Sequence, residues 1–87
     1  MIHRMQVNVG ELFMAPQRIT FAYQESRKAF SVWYWHKDTE LNQHRIVGTG
    51  HAVEGEWEIV GTVIMPDGFH AFHLIRKAPA MAREGEQ

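Results

Sequence analysis

Apolar and polar positions alternate with a period of two along most of this chain, in segments bounded by turn residues; few windows carry the 3.6-residue period of a helix. Residues 3–9 form the first such segment, and Gly10 ends it. Arg18 to Gln24 (RITFAYQ) and Ala29 to His36 (AFSVWYWH) are rich in β-branched and aromatic residues. Between them Glu25-Ser26-Arg27-Lys28 contains nothing apolar, which predicts a hairpin with a short polar loop. Residues 44–49 and 56–65 predict two further strands. Pro66-Asp67-Gly68 then turns the chain into residues 69–76: proline presets φ, aspartate bonds its own backbone, and glycine accepts positive φ. Residues 11–16 fit either one helical turn or an irregular crossing, and Pro16 biases Ala15 toward extended geometry. Residues 37–43 read as a polar, mobile connection, and 78–87 (APAMAREGEQ) as a disordered tail. The predicted architecture is one all-β domain over residues 1–77, a single antiparallel sheet of about five to six strands, meander-like or curled toward a barrel.

The two faces of the strands add a constraint. In residues 29–36 one face carries Phe30, Val32 and Tyr34 and the other Trp33 and Trp35. In residues 69–76 one face carries Phe69, Ala71, His73 and Ile75, the other His70, Phe72 and Leu74. A sheet with one wet face alternates cleanly between apolar and polar, and these do not. The sheet therefore either curls with an extra layer or buries its second face against another copy. So little chain remains for a covering layer that a homo-oligomer is the expected solution.

Composition narrows the chemistry. Eighty-seven residues make one domain. With no cysteine there is neither a disulfide nor a thiolate metal site, and ten aromatic residues carry much of the packing. A formal charge of −1, with Arg27-Lys28 and Arg76-Lys77 as isolated pairs, supplies no basic stripe for duplex nucleic acid. No signal-peptide pattern or apolar run of membrane-spanning length is present, which leaves the cytoplasm as the default compartment.

Candidate sites are few. His70 and His73 point to opposite faces of a strand, and His44 and His51 flank a turn, but no carboxylate or cysteine completes a metal-ligand spacing; no metal and no cofactor is expected. Glu54, Glu56 and Glu58 alternate as a solvated edge would. Ser26 and Ser31 lack a nucleophile context, so no catalytic residue is assigned. There remains Val47-Gly48-Thr49-Gly50-His51-Ala52. Two glycines bracketing a hydroxyl residue fit a tight bend, and equally a concavity where backbone N–H groups meet an anion, with His51 as an added donor.

RIVGTGHAV followed by EIVGTVIMPDGFHAFHLI resembles a family of small bacteriophage and prophage proteins with an I/V-x-G-T-G-H-P-I-like stretch, an I-G-T strand and a closing V-W-H-V-F-like strand. Upstream, MAPQRITFAY is similar to that family's M-P-x-G-A-x-I-L segment, and AFSVWYWHKD to its L-C-L-W-A-like strand. The resemblance covers most of residues 5–76 and is strongest at Gly48–His51, Gly61–Thr62 and His73. Ala52 stands where proline is usual, and the glycine of the first segment is absent. The resemblance carries no activity; it implies a phage origin, a compact β fold and the cytoplasm of an infected bacterium. Two roles follow as expectations: a non-catalytic binder that sequesters a nucleotide-like defence signal or blocks a host defence protein, and a structural or assembly protein. In the first, Trp33 and Trp35 stack bases while Arg45, Thr49, Gly50 and His51 meet phosphate and ribose, Gly48 and His73 complete the ligand site, and His51→Ala removes binding without removing the fold.

Overall fold

Strands with a period-two pattern need a hydrogen-bonded partner on at least one edge and a core on one face. In the computed structural model, which describes residues 1–78, every regular element is a strand. They are β1 (Ile2–Val7), β2 (Phe13–Pro16), β3 (Ile19–Gln24), β4 (Ala29–Trp35), β5 (Leu41–Gly48), β6 (Trp57–Ile64) and β7 (Ala71–Lys77). The all-β, antiparallel reading holds; the tail expected at 78–87 lies, but for Ala78, outside the described residues. Among the described residues no helix is long and apolar enough to cross a membrane.

The strands divide between two sheets, of order β1-β4-β3 and β2-β5-β7-β6, rather than forming the single sheet expected, and they do not close into a barrel. This division gives each sheet one covered face and leaves Trp33 and Trp35 on an outer face. Phe30 and Val32 of β4 and Leu74 of β7 turn inward onto one shared core with Val7, Phe13, Ala15, Ile19 and Ile46. The rings of Phe30 and Phe72 meet edge-on across the sheets at 5.2 Å. Seven short strands thus supply both layers of the core from one chain, and each sheet keeps a second, outer face.

The segment with two readings is strand rather than helix. Phe13 and Ala15 are buried and alternate with exposed Met14, and the pairing Phe13↔His44 to Pro16↔Leu41 attaches β2 to β5. Pro16 closes an edge strand, where its missing N–H costs no ladder bond. That same pairing draws Leu41, Asn42 and Gln43 out of the predicted connection and into β5.

The second hairpin follows its turn chemistry. Asp67 Oδ1 accepts hydrogen bonds from the Phe69 N–H at 2.7 Å and the His70 N–H at 3.1 Å, while Oδ2 lies 2.6 Å from His70 Nδ1. His70 therefore belongs to the turn, not to β7. The Phe69 N–H first, then the His70 ring and N–H, hold the Asp67 carboxyl down at about 2 from 3.8. A depressed carboxylate stabilises the fold above its unfolded pKa, and that contribution disappears as pH falls. Melting temperatures of the wild type and Asp67→Ala are expected to converge between pH 4 and pH 2 in thermal scans. Curves that stay parallel across that window contradict the assignment.

β5 and β6 both pair antiparallel to β7, so they run in the same direction with β7 between them. Residues 49–56 must then travel the length of β7 to connect them. The inner face holds the core, so this segment crosses the outer face. Val47 and Ile75 belong to that outer face yet are only 5% and 4% exposed, and the crossing accounts for their cover. A shift in register between Ile59 and Gly61 marks a bulge in the edge strand β6.

Candidate functional site

The glycine-bracketed motif is a turn at the end of β5. The His51 N–H donates to the Gly48 carbonyl at 3.0 Å, and Gly50 holds φ at +87°, a conformation that glycine adopts without steric cost. The Thr49 N–H donates to the Ala71 carbonyl at 3.3 Å. Two of the amides an anion cradle needs are thus engaged within the fold. At Gly48 a Cβ meets the Phe72 ring at 3.5 Å, an ordinary van der Waals contact, so packing does not demand glycine there.

Behind the turn, His73 on β7 lies between two threonine hydroxyls, Thr49 Oγ1 at 2.8 Å from Nε2 and Thr62 Oγ1 at 2.9 Å from Nδ1. Hydroxyls both donate and accept, so this trio satisfies the ring across three adjacent strands. The expected site residues Thr49 and His73 therefore come together. Arg45 does not join them; its Nε donates to the Gly10 carbonyl at 3.1 Å. His51 is exposed, whereas His44 is fully buried in the core, so these two do not converge. Of the three alternating glutamates only Glu58 lies in β6; it is exposed on that edge strand, as expected, and also bonds Arg76 at 2.9–3.0 Å.

Trp33 and Trp35 are on the other sheet. Along β4 they alternate with inward-facing Val32 and Tyr34, so they project from the outer face of the sheet β1-β4-β3. His73 alternates with inward-facing Leu74 and projects from the outer face of the opposite sheet. The tryptophans and the threonine–histidine patch thus lie on opposite sides of the core, and one ligand cannot touch both within a single copy.

The tryptophans build a site of their own. With Ile2 of β1, Thr20 of β3 and Tyr34 they line a groove of about 310 Å³, and Arg18, just before β3, closes one side. Cross-strand pairing sets this arrangement, Ile2 opposite Trp35 and Thr20 opposite Trp33. Half of the surface of Trp35 and 58% of that of Ile2 remain open to solvent. Two side chains two residues apart on a strand are separated by roughly 6.6 Å, about twice the thickness of an aromatic ring, so the spacing admits a flat ring against either indole.

Arg18 also lines a neighbouring polar cleft of about 620 Å³ between residues 16–18 and 37–40, together with Gln17, Lys37, Asp38 and Glu40. Among the described residues neither Arg18 nor Lys37 forms an ion pair. Arg4, opposite Trp33, is engaged elsewhere: its Nη1 donates to Ser31 Oγ at 3.2 Å, and Ser31 in turn donates to Gln24 Oε1 at 2.7 Å. The groove is therefore aromatic along its floor and cationic at one end. Pattern alone pairs Trp33 with Trp35, since residues i and i+2 share a face. Arg18, Thr20 and Ile2 come from other strands, and only a knowledge of the pairing brings them there.

His44 is fully buried. Its ring stacks on Phe13 at 5.6 Å, Nδ1 donates to the Asn42 carbonyl at 2.9 Å, and buried Nε2 has no partner. Burial lowers its pKa from 6.5, and the Arg76 charge acts in the same direction against the Asn42 hydrogen bond. It borders neither the groove nor the turn. Among the described residues no cluster of three or more metal-ligating side chains occurs.

Neither the curated proteins nor the solved structures contain a match to this chain. A family model described as "Domain of unknown function (DUF7352)" matches residues 1–84, nearly the full length. The chain belongs to the DUF7352 domain family.

Proposed function

We propose that this protein is a non-catalytic binder of a planar, anionic small molecule of nucleotide type, held in the groove of Trp33 and Trp35 with its charged end toward Arg18 and Lys37. The observation that carries this reading is the single residue Arg18, which borders both the aromatic groove and the polar cleft. Stacking of a base on an aromatic side chain contributes about 1–3 kcal/mol, and a guanidinium recognises phosphate in fork geometry. The resemblance to phage proteins supports a setting in an infected bacterium, where sequestering a nucleotide-like defence signal requires affinity and no chemistry. The Gly48–His51 turn and His73, on the opposite sheet, meet such a ligand only where a second copy brings them to the groove.

The test is a thermal-shift and fluorescence titration with cyclic and ADP-ribose-type nucleotides, alongside mass spectrometry of small molecules released from denatured protein. Trp35→Ala is expected to weaken binding about ten- to a hundredfold. Arg18→Glu is expected to weaken phosphorylated ligands while sparing the matching nucleoside. A flat panel together with unchanged phage growth in defended hosts sinks the proposal.

A second reading, an assembly role without a small-molecule ligand, is favoured by Ile59 and Ile64, which stand 69% and 68% exposed on the edge strand β6. Light scattering separates the two readings. A ligand-free oligomer that Ile59→Lys dissociates, with no response to nucleotides, supports assembly.

A further inference from the structure

At the end of the first sheet two imidazoles face each other. His3 on β1 lies opposite Tyr34 on β4, and His36 follows β4 directly, its N–H tied to the Met1 carbonyl at 2.9 Å. His3 Nε2 and His36 Nδ1 are 3.0 Å apart, with ring centroids at 5.1 Å. We propose that His3 and His36 form a two-imidazole binding site for a borderline divalent transition-metal ion, with Cu(II) bound most tightly.

A metal–imidazole bond is about 2.0–2.1 Å long, so two cis ligands place their nitrogens roughly 2.9 Å apart at a right angle and about 3.4 Å apart at the tetrahedral angle. The observed separation falls inside that range without movement of either strand. In the metal-free pair one ring donates its N–H to the lone pair of the other. The far nitrogens, Nδ1 of His3 and Nε2 of His36, take part in no hydrogen bond among the described residues. The donor ring can therefore carry its proton on the far nitrogen and release a second lone pair, with no net loss of a proton. His36 is exposed and His3 half-buried, so solvent can fill the remaining coordination positions. Nitrogen ligands with open positions follow the order that places Cu(II) above Ni(II) and Zn(II). The His3 ring stands 5.7 Å from that of Tyr34, a groove residue, so an ion here lies beside the groove without using its tryptophans or Arg18.

The experiment is a calorimetric titration of the full chain with Cu(II) at pH 7.5, paired with electron paramagnetic resonance of the loaded protein. One equivalent is expected to bind, with hyperfine coupling from two imidazole nitrogens. His36→Ala, at an exposed position, and His3→Gln are each expected to lower the affinity at least about tenfold with unchanged circular dichroism. His51→Ala, in the exposed turn, is expected to bind as the wild type does. Absence of binding at millimolar Cu(II) overturns the proposal. So does wild-type affinity in His36→Ala, which assigns the ion to His3 with main-chain nitrogens or to another histidine. Metal binding and nucleotide binding are read separately, so failure of one leaves the other standing.

Discussion

Leu74→Ala is expected to lower the unfolding free energy by about 3–5 kcal/mol, near the top of the range for leucine truncation in a core. Leu74 is fully buried and pairs with Ile46 on one side and Gly61 on the other. Gly61 has no side chain to fall into a void. A Cβ there already comes within 3.1 Å of the Phe21 ring from the opposite sheet, so that wall is also close-packed. The cavity therefore stays open, and the cost stays high. A domain of this length has roughly 4–13 kcal/mol of total stability, so one truncation removes a large share of it. In urea the midpoint is expected to fall by about 2 M with an unchanged slope. Ile59→Ala, at a position 69% exposed, is expected to stay within about 0.5 kcal/mol of the wild type. A loss below about 1 kcal/mol for Leu74→Ala contradicts the two-sheet core.

The second large effect is a loss of stability on mild acidification. His44 is neutral in the core and its pKa lies below 6.5, with burial the leading cause. The unfolded chain therefore binds more protons than the folded one once pH drops below about 6.5, and stability has a positive slope with pH in that window. The contribution is fully present above pH 6.5. It declines as pH falls from there toward the folded pKa. His44→Phe keeps a ring against Phe13 and removes both the titration and the unpartnered Nε2 acceptor, at the cost of leaving the Asn42 carbonyl without its donor. Its stability at pH 8 is expected within about 1.5 kcal/mol of the wild type. Denaturant curves of the two proteins at pH 8, 7, 6 and 5 are expected to show a difference that moves in favour of the variant as pH falls. A constant difference contradicts the burial of His44 as a neutral ring. Asp67 acts in a lower window, below pH 4, so the two groups separate on one pH axis.

Resolving these effects by residue also shows where the pattern of the chain was sufficient. Glu25–Lys28 and Pro66–Gly68 turn where their chemistry says they must, because a turn is decided within four residues. Residues 11–16 stay open between a helical turn and a crossing in the pattern, because β2 has four residues, ends in proline and exposes one methionine, too short a run for alternation to register. The pattern places His44 only beside a turn, since a buried neutral imidazole has no local signature. Its burial depends on Phe13, thirty-one positions away in the chain.

The all-β character, the hairpin turns, and the sharing of one face by Trp33 and Trp35 are legible in the chain alone, because each depends on the side-chain period of two and on local backbone preference. The division of the strands between two sheets, the place of Arg18 beside the tryptophan groove with Arg45 elsewhere, and the bond of Thr49 to His73 emerge only on folding. Those outcomes rest on which strands pair. Pairing is a choice among distant partners with similar alternation, and the shared burial of both sheets selects it.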